Sequence, residues 1–377
     1  MRRLIKTGIA CALGGTGADG LIRSLAAARN MPLVICYHRV VQDVRAYGNS
    51  IPAMMTSRQT LERQLDWVER RFRIISLDEL GARLEEREQF NEPLAAITFD
   101  DGYSDIYYNA FPLLQRRGIP AAVFVVTDLV STPEIQLHDK LYLLLLQAFS
   151  QSSSAAHELF KLLLQRGIRL PALESLKNGR SDPLAATKML LSSLPQARIR
   201  DVIQTLEARI EIAESALEGL QPLTWEMLAE MNQEGMIIGS HTKSHTLLPN
   251  ESFQKVINEV VGSRQELGRR LGIKVNHFAY PDGRFNAATV RAVAAAYRYA
   301  YTTCRHQDTD YPLSTIPRRH FWENSCLDAL GRFSPAMMSC QVNGVFDWMG
   351  SCRQDHNLNA RRHQPQTWLS YEASEDC

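Results

Sequence analysis

The sequence has no excess of one charge, no close cysteine pair and no long apolar run. Lysine and arginine total 42 against 41 aspartate and glutamate, a net of +1, which removes the electrostatic case for a nucleic-acid partner. The seven cysteines (Cys11, Cys36, Cys304, Cys326, Cys340, Cys352 and Cys377) are odd in number, scattered and without a CxxC pair. They suggest neither a zinc knuckle nor a redox couple, and free thiols in a reducing, cytoplasmic compartment are the simpler expectation. At the N-terminus, the apolar stretch from Thr7 to Ala18 follows Lys6, contains four glycines and ends at Asp19, well short of the roughly 20 residues of a membrane span. Residues 1–30 are therefore expected to form an amphipathic surface helix able to touch a membrane. The basic start keeps a signal peptide, and export to the cell envelope, as the alternative.

What is present is a chain of 377 residues, 45% of them hydrophobic, long enough for one large core or two smaller ones. Short apolar runs at 33–38, 72–77, 94–100, 121–127, 236–241, 276–280 and 297–303 read as strands. Because they are continuous rather than alternating, they suit parallel strands covered on both faces. Helical stretches lie between them. In "SRQTLERQLDWVERRF" (57–72) Leu61, Leu65 and Val68 recur at helical spacing, and 251–272 ends on a glycine stop. Strand–helix alternation of this length predicts an α/β barrel or a doubly wound sheet. Residues 134–220 break the rhythm. "KLYLLLLQAF", "HELFKLLLQRG" and "ARIRDVIQTLEARIEIAESAL" are helical throughout, and predict an inserted helical subdomain that is its own small core, a lid or a membrane-facing surface. From about 326 the tail lacks periodicity, and 353–366 reads as a solvated end.

Two short motifs carry chemistry. "TFDDGY" (98–103) places Asp100 and Asp101 where a strand ends and Gly102 begins a turn. Strand ends on that face are where α/β barrels keep their active sites. "GSHTKSH" (239–245) also follows a strand, with His241 and His245 four apart; if a helix starts there, their Cβ atoms lie about 5–6 Å apart on one face. Two imidazoles and one carboxylate make a three-ligand site with room for water, whose pKa a divalent cation lowers towards about 7. One aspartate would ligate the ion, and the ion's charge would keep its neighbour ionised as a general base.

"TFDDGY", "SHTKSH" and "FAYPDGRFN" (278–286) resemble the first three motifs of the polysaccharide deacetylases, the NodB-homology carbohydrate esterases. The resemblance covers roughly 31–133 and 221–322, and places the barrel domain at 31–133 and 221–325. It implies a distorted (β/α) barrel of about seven strands, interrupted by the helical insertion, and metal-dependent hydrolysis of N-acetyl groups on glycans. By this likeness Asp100 is the general base, while Asp101, His241 and His245 bind the metal, usually Zn2+, with Co2+, Ni2+ or Mn2+ as alternatives. The family's third motif commonly has an arginine where this chain has Ala279, and Asp282 stands where an aromatic is usual. The missing arginine is expected from Arg318 or Arg319 in "IPRRH". Pro281 and Asp282 would sit on the substrate side, the backbone N–H of Asp282 facing the oxyanion. The family's C-terminal Leu-x-His strand is absent after 325, but "PLVICYHRV" (32–40) reads that way. The chain thus resembles the circularly permuted branch of exopolysaccharide deacetylases, with His38 as the acid and His320 in reserve. Tyr103, Trp225 and Trp322 are candidates to line a sugar cleft, although core packing is the commoner role of such aromatics. Two other functions fit the residues: a catalytically silent glycan-binding or scaffold protein on this fold, and a hydrolase of another amide such as a cyclic imide.

Overall fold

The protein is described here by a computed structural model covering residues 2–15, 32–47, 50–51, 54–151, 154–168, 182–304 and 307–347. Among the described residues, eleven strands run β1 (Leu33–Tyr37), β2 (Arg39–Val41), β3 (Met55–Ser57), β4 (Arg73–Ile74), β5 (Leu94–Phe99), β6 (Ala121–Val125), β7 (Ile237–Ser240), β8 (His277–Ala279), β9 (Tyr299–Thr302), β10 (Ile316–Pro317) and β11 (Arg319–His320). The main sheet has the order β10-β9-β8-β7-β6-β5-β1-β11, with β4 also on β5, and every pairing is parallel. β2 and β3 pair separately.

The two edges of this sheet are halves of one extended segment. Only Arg318 separates β10, which pairs with β9, from β11, which pairs with β1. The sheet therefore curls into a nearly closed parallel barrel, with helices around it.

Side-chain parity assigns the layers. On β1, β5 and β6, Ile35, Tyr37, Ile97, Phe99, Val123 and Val125 join the cluster that includes the outer helices. Val34, Ala96, Ala122 and Phe124 alternate with them and gather with Tyr301 and Ile316 in a second cluster inside the barrel. All residues of these three strands are buried, as their continuous apolar runs require. Among the outer helices, Arg58–Glu69 buries Leu61, Leu65 and Val68, and its Ser57 cap accepts from the Thr60 N–H at 3.2 Å. A cap of this kind contributes about 1 kcal/mol. Helix Phe253–Leu271 stops at Gly272, whose φ of 68° suits glycine.

Three expectations are corrected. The strand expected at 72–77 is only β4, because Ser76 caps a new helix, Leu77–Glu85, by accepting from the Glu79 N–H. The helix expected through 197–217 divides into Gln196–Glu207 and Glu214–Leu217. Between them Ile210 and Ile212 pack against the insertion's core across one intervening residue, a change to period 2 that a helix cannot satisfy. The tail does contain order: helix Pro335–Val342 supplies Met337 and Cys340 to a small cluster with Ala10 of the N-terminal helix Arg2–Gly15. Residues 16–30 and 353–366 lie outside the described residues. No helix among the described residues is long and apolar enough to cross a membrane.

The insertion also contains Leu137–Gln151, Ala155–Gln165 and Pro183–Ser193. Its helices share a core separate from the barrel's, including Leu144, Leu145, Leu163, Leu190 and Ile203.

Candidate active site

Asp100 and Asp101 follow β5 directly, and each is 2% exposed. Asp100 keeps the parity of Ala96 and Thr98 and so faces the barrel interior, where Arg318 meets it. Arg318 Nη1 donates to Asp100 Oδ1 at 2.7 Å and Nη2 to Oδ2 at 2.6 Å, a bidentate pair. Nη1 also donates to Thr98 Oγ1 at 3.1 Å, and the Thr98 hydroxyl donates to Ile35 O. Burial would raise the Asp100 pKa, but the Arg318 charge outweighs it and holds the carboxyl at about 2. The Cys36 thiol donates to Asp100 Oδ2 at 3.3 Å and is pushed well up by burial, so it stays protonated. Arg319, the other arginine considered from the sequence, pairs instead with Asp347 at 2.8 Å.

Asp101 faces the other way round the corner. Its φ is 71° and that of Gly102 is 73°, two successive left-handed residues that turn the chain sharply. Asp101 Oδ1 lies 3.3 Å from His241 Nε2 and 3.2 Å from His245 Nε2. The histidines are not on a helix, as their four-residue spacing suggested. Residues 242–244 form a turn, with φ of 69° at Thr242 and 55° at His245, and the turn brings the rings to 5.0 Å between centroids. His241 Nδ1 lies 2.8 Å from Ala279 O. A carbonyl only accepts, so Nδ1 carries a proton, and in the neutral imidazole the Nε2 lone pair then faces the carboxylate.

A lone pair facing a carboxylate oxygen at this distance is repulsive unless a cation lies between them. Neither oxygen of Asp101 receives a hydrogen bond, and the three donor atoms lie within 4.8 Å of one another. Two imidazole nitrogens and a carboxylate, one imidazole oriented by a backbone carbonyl, fit a divalent cation. Burial acts to raise Asp101 and to lower His245, yet their mutual attraction prevails. Asp101 is held well below the usual carboxylate range, and His245 is raised.

His38 and His320 form the wall beyond Asp100. His38 directly follows β1 and His320 ends β11, the two strands run side by side, and the rings are 4.6 Å apart. Burial lowers both, His320 to about 3, so both are neutral at pH 7. His38 Nδ1 and His320 Nε2 find no hydrogen-bond partner. Cys36, His38 and Asp100 also converge within 4.8 Å, but Arg318 already neutralises this carboxylate and the thiol remains protonated.

The remaining sequence candidates divide. Tyr103 is 1% exposed and cannot wall an open cleft, because its hydroxyl is committed at 2.6 Å to Asp139 Oδ2 and 2.9 Å to His138 Nε2. Arg318, considered for the substrate side, is 4% exposed and serves Asp100. Pro281 is buried; Asp282 occupies a left-handed turn (φ 54°), its exposed carboxylate paired with Arg284 Nε at 2.8 Å and close enough to help raise His245. Trp225 packs against the main core under the Arg270 guanidinium, and Trp322 is half-buried. Sequence reasoning missed His138 and Asp139. His138 Nε2 is 4.0 Å from Asp101 Oδ2, and its ring is 4.8 Å from that of His245. The available signal was "QLHDK" (136–140), polar residues opening an otherwise leucine-rich helix.

Fold and site together define a parallel-barrel protein with a buried two-histidine, one-aspartate cluster beside an arginine-held aspartate. The polysaccharide deacetylase family model matches residues 87–170 and 182–302, more than half of the chain, and the chain belongs to that family. β1 with His38, and the closing segment with Arg318 and His320, lie outside the matched residues. The Bacillus subtilis protein YxkH, whose name places it provisionally among polysaccharide deacetylases, is 27% identical over 94 residues, which is 25% of this chain and 31% of that protein's length. Two solved structures share the fold at 18% identity, each aligned over 83% of this chain and 97% of its own. They are the Streptococcus pyogenes deacetylase PplD in complex with acetate (TM-score 0.52) and IcaB from Ammonifex degensii (TM-score 0.50).

Proposed function

We propose that the protein is a metal-dependent hydrolase that removes acetyl groups from N-acetylated sugars of a polysaccharide or glycan precursor. The observation that carries this reading is the division of labour at one corner: Asp101 with His241 and His245 on one side, Asp100 with Arg318 on the other. Asp101 Oδ1 and the two Nε2 atoms would hold a divalent cation, Zn2+ in the first instance. Such an ion acidifies water towards neutral pH and polarises a carbonyl.

Asp100 takes the proton of the attacking water on a carboxylate lone pair not used by Arg318, whose two N–H groups fix the carboxylate plane. His38, half-buried beside Asp100, takes up the proton that Asp100 removed from water and delivers it to the departing amine. Its lowered pKa makes the imidazolium, once loaded, a strong acid towards an amine. The Asp282 main chain is assigned to the acetyl oxygen as it gains charge. A cytoplasmic location belongs to the same proposal: Cys36 and Cys326 are buried free thiols, the state that a reducing compartment preserves.

The test is acetate release from a panel of N-acetylglucosamine oligomers and other acetylated glycans, before and after chelation and with Zn2+, Co2+, Ni2+ or Mn2+ restored. Activity lost to chelator and regained with metal is expected. No release under any ion would overturn the proposal in favour of a silent glycan-binding protein.

A further inference from the structure

We propose that the root of the helical insertion is the positioning element of the candidate metal centre, holding Asp101 in register with His241 and His245. This rests on the functional reading above and extends it to residues that no motif marks. The corner itself is strained. A non-glycine residue in the left-handed region costs on the order of 1–2 kcal/mol and persists only where its surroundings over-determine it, and Asp101 is such a residue with Gly102 in the same conformation behind it.

The insertion supplies those surroundings from both of its ends. At its start, Gln136 Nε2 donates to the main-chain oxygen of Asp101 at 2.9 Å. Two residues on, His138 and Asp139 engage the Tyr103 hydroxyl. The geometry fixes the proton: the hydroxyl hydrogen goes to the Asp139 carboxylate, so His138 Nε2–H donates to the phenolic oxygen. Gln136, His138 and Asp139 are all 5% exposed or less. At its end, Gly219 O accepts from Arg39 Nη2 at 2.6 Å, while Arg39 Nε pairs with Asp105 at 2.8 Å. Just past that end, Gln221 O accepts from the Ser104 N–H, and the Leu223 N–H donates to Gly102 O, each at 2.8 Å.

Residues 101–105 are thus gripped between the start of the insertion and the segment in which it returns to the barrel, residues 219–223. Gln136 and Asp139 touch neither the proposed ion nor substrate. They act through the backbone and ring of the corner, as positioning residues. Release of that grip lets Asp101 relax towards an ordinary backbone conformation and carries its carboxylate away from the two imidazoles.

The experiment is calorimetric titration of metal-free full-length protein with Zn2+ for the wild type, Gln136→Met, Asp139→Asn and Lys140→Gln, with circular dichroism and melting curves of each. Lys140 shares the helix but pairs with Glu207 on the outside. Supporting residues of this kind set metal affinity by about 10–100-fold. Gln136→Met and Asp139→Asn are expected to weaken Zn2+ by that amount, and Lys140→Gln to stay within about twofold of wild type. If Asp139→Asn does not fold, the volume-conserving Gln136→Met decides. Folded variants with wild-type affinity overturn this proposal alone. A wild type that takes up no Zn2+ overturns the metal reading itself.

Discussion

Asp100 and Asp101 are adjacent in sequence, equally buried and oppositely served. Arg318 gives Asp100 a permanent, bidentate cation, so its charge is settled within the fold. Asp101 has only imidazole nitrogens about it, groups whose charge depends on a proton or a metal. The difference shows how two like charges share one corner: one is compensated by the chain, and the other is left to bind something.

The strongest way to break that comparison is to neutralise each carboxylate in turn. Asp100→Asn is expected to lower kcat by about 10²–10⁴-fold, the usual span of general base catalysis, with metal content retained. Asp101→Asn should lose the bound metal as well. Elemental analysis beside the kinetics distinguishes them, and equal metal loss in both would erase the distinction.

Removing the arginine tests the other half. Arg318→Met leaves a buried carboxylate without its partner, which costs about 3–5 kcal/mol. Urea unfolding should show a loss of that order, and Arg319→Met, which breaks a half-buried pair with Asp347, should show much less.

The smallest effect concerns His320. Its folded pKa of about 3 is below the ordinary 6.5. The unfolded chain therefore binds the extra proton first, and stability falls as pH drops from about 6.5 towards 3. Between pH 7 and 5 this amounts to about 2 kcal/mol. His320→Asn should reduce the acid-induced loss by that amount in paired unfolding curves at the two pH values. An unchanged slope would mean that the imidazole titrates normally.

The barrel and the paired motifs were legible because both are local signals. Apolar runs of strand length mark buried parallel strands, and Asp-Asp-Gly and His-x3-His each fall within a few residues of a strand end. Arg318 was legible only as one of two neighbours, and parity along the closing segment decides between them. Tyr103 was misplaced because an aromatic beside an active-site motif looks the same in sequence whether it faces solvent or a buried His138–Asp139 pair. Those two were missed for a related reason: their partner lies 35 and 36 residues away, across a turn that periodicity does not encode. The helical geometry expected of the histidine pair failed because left-handed Thr242 and His245 achieve the same approach without a helix.

The five residues 316–320 are both the last stave of the barrel and the source of the guanidinium that meets Asp100. During synthesis every other stave emerges earlier, so the nascent chain carries a naked acidic pocket until this segment docks. Sealing the wall and arming the chemistry are then a single event, and a product cut short before Ile316 would have neither.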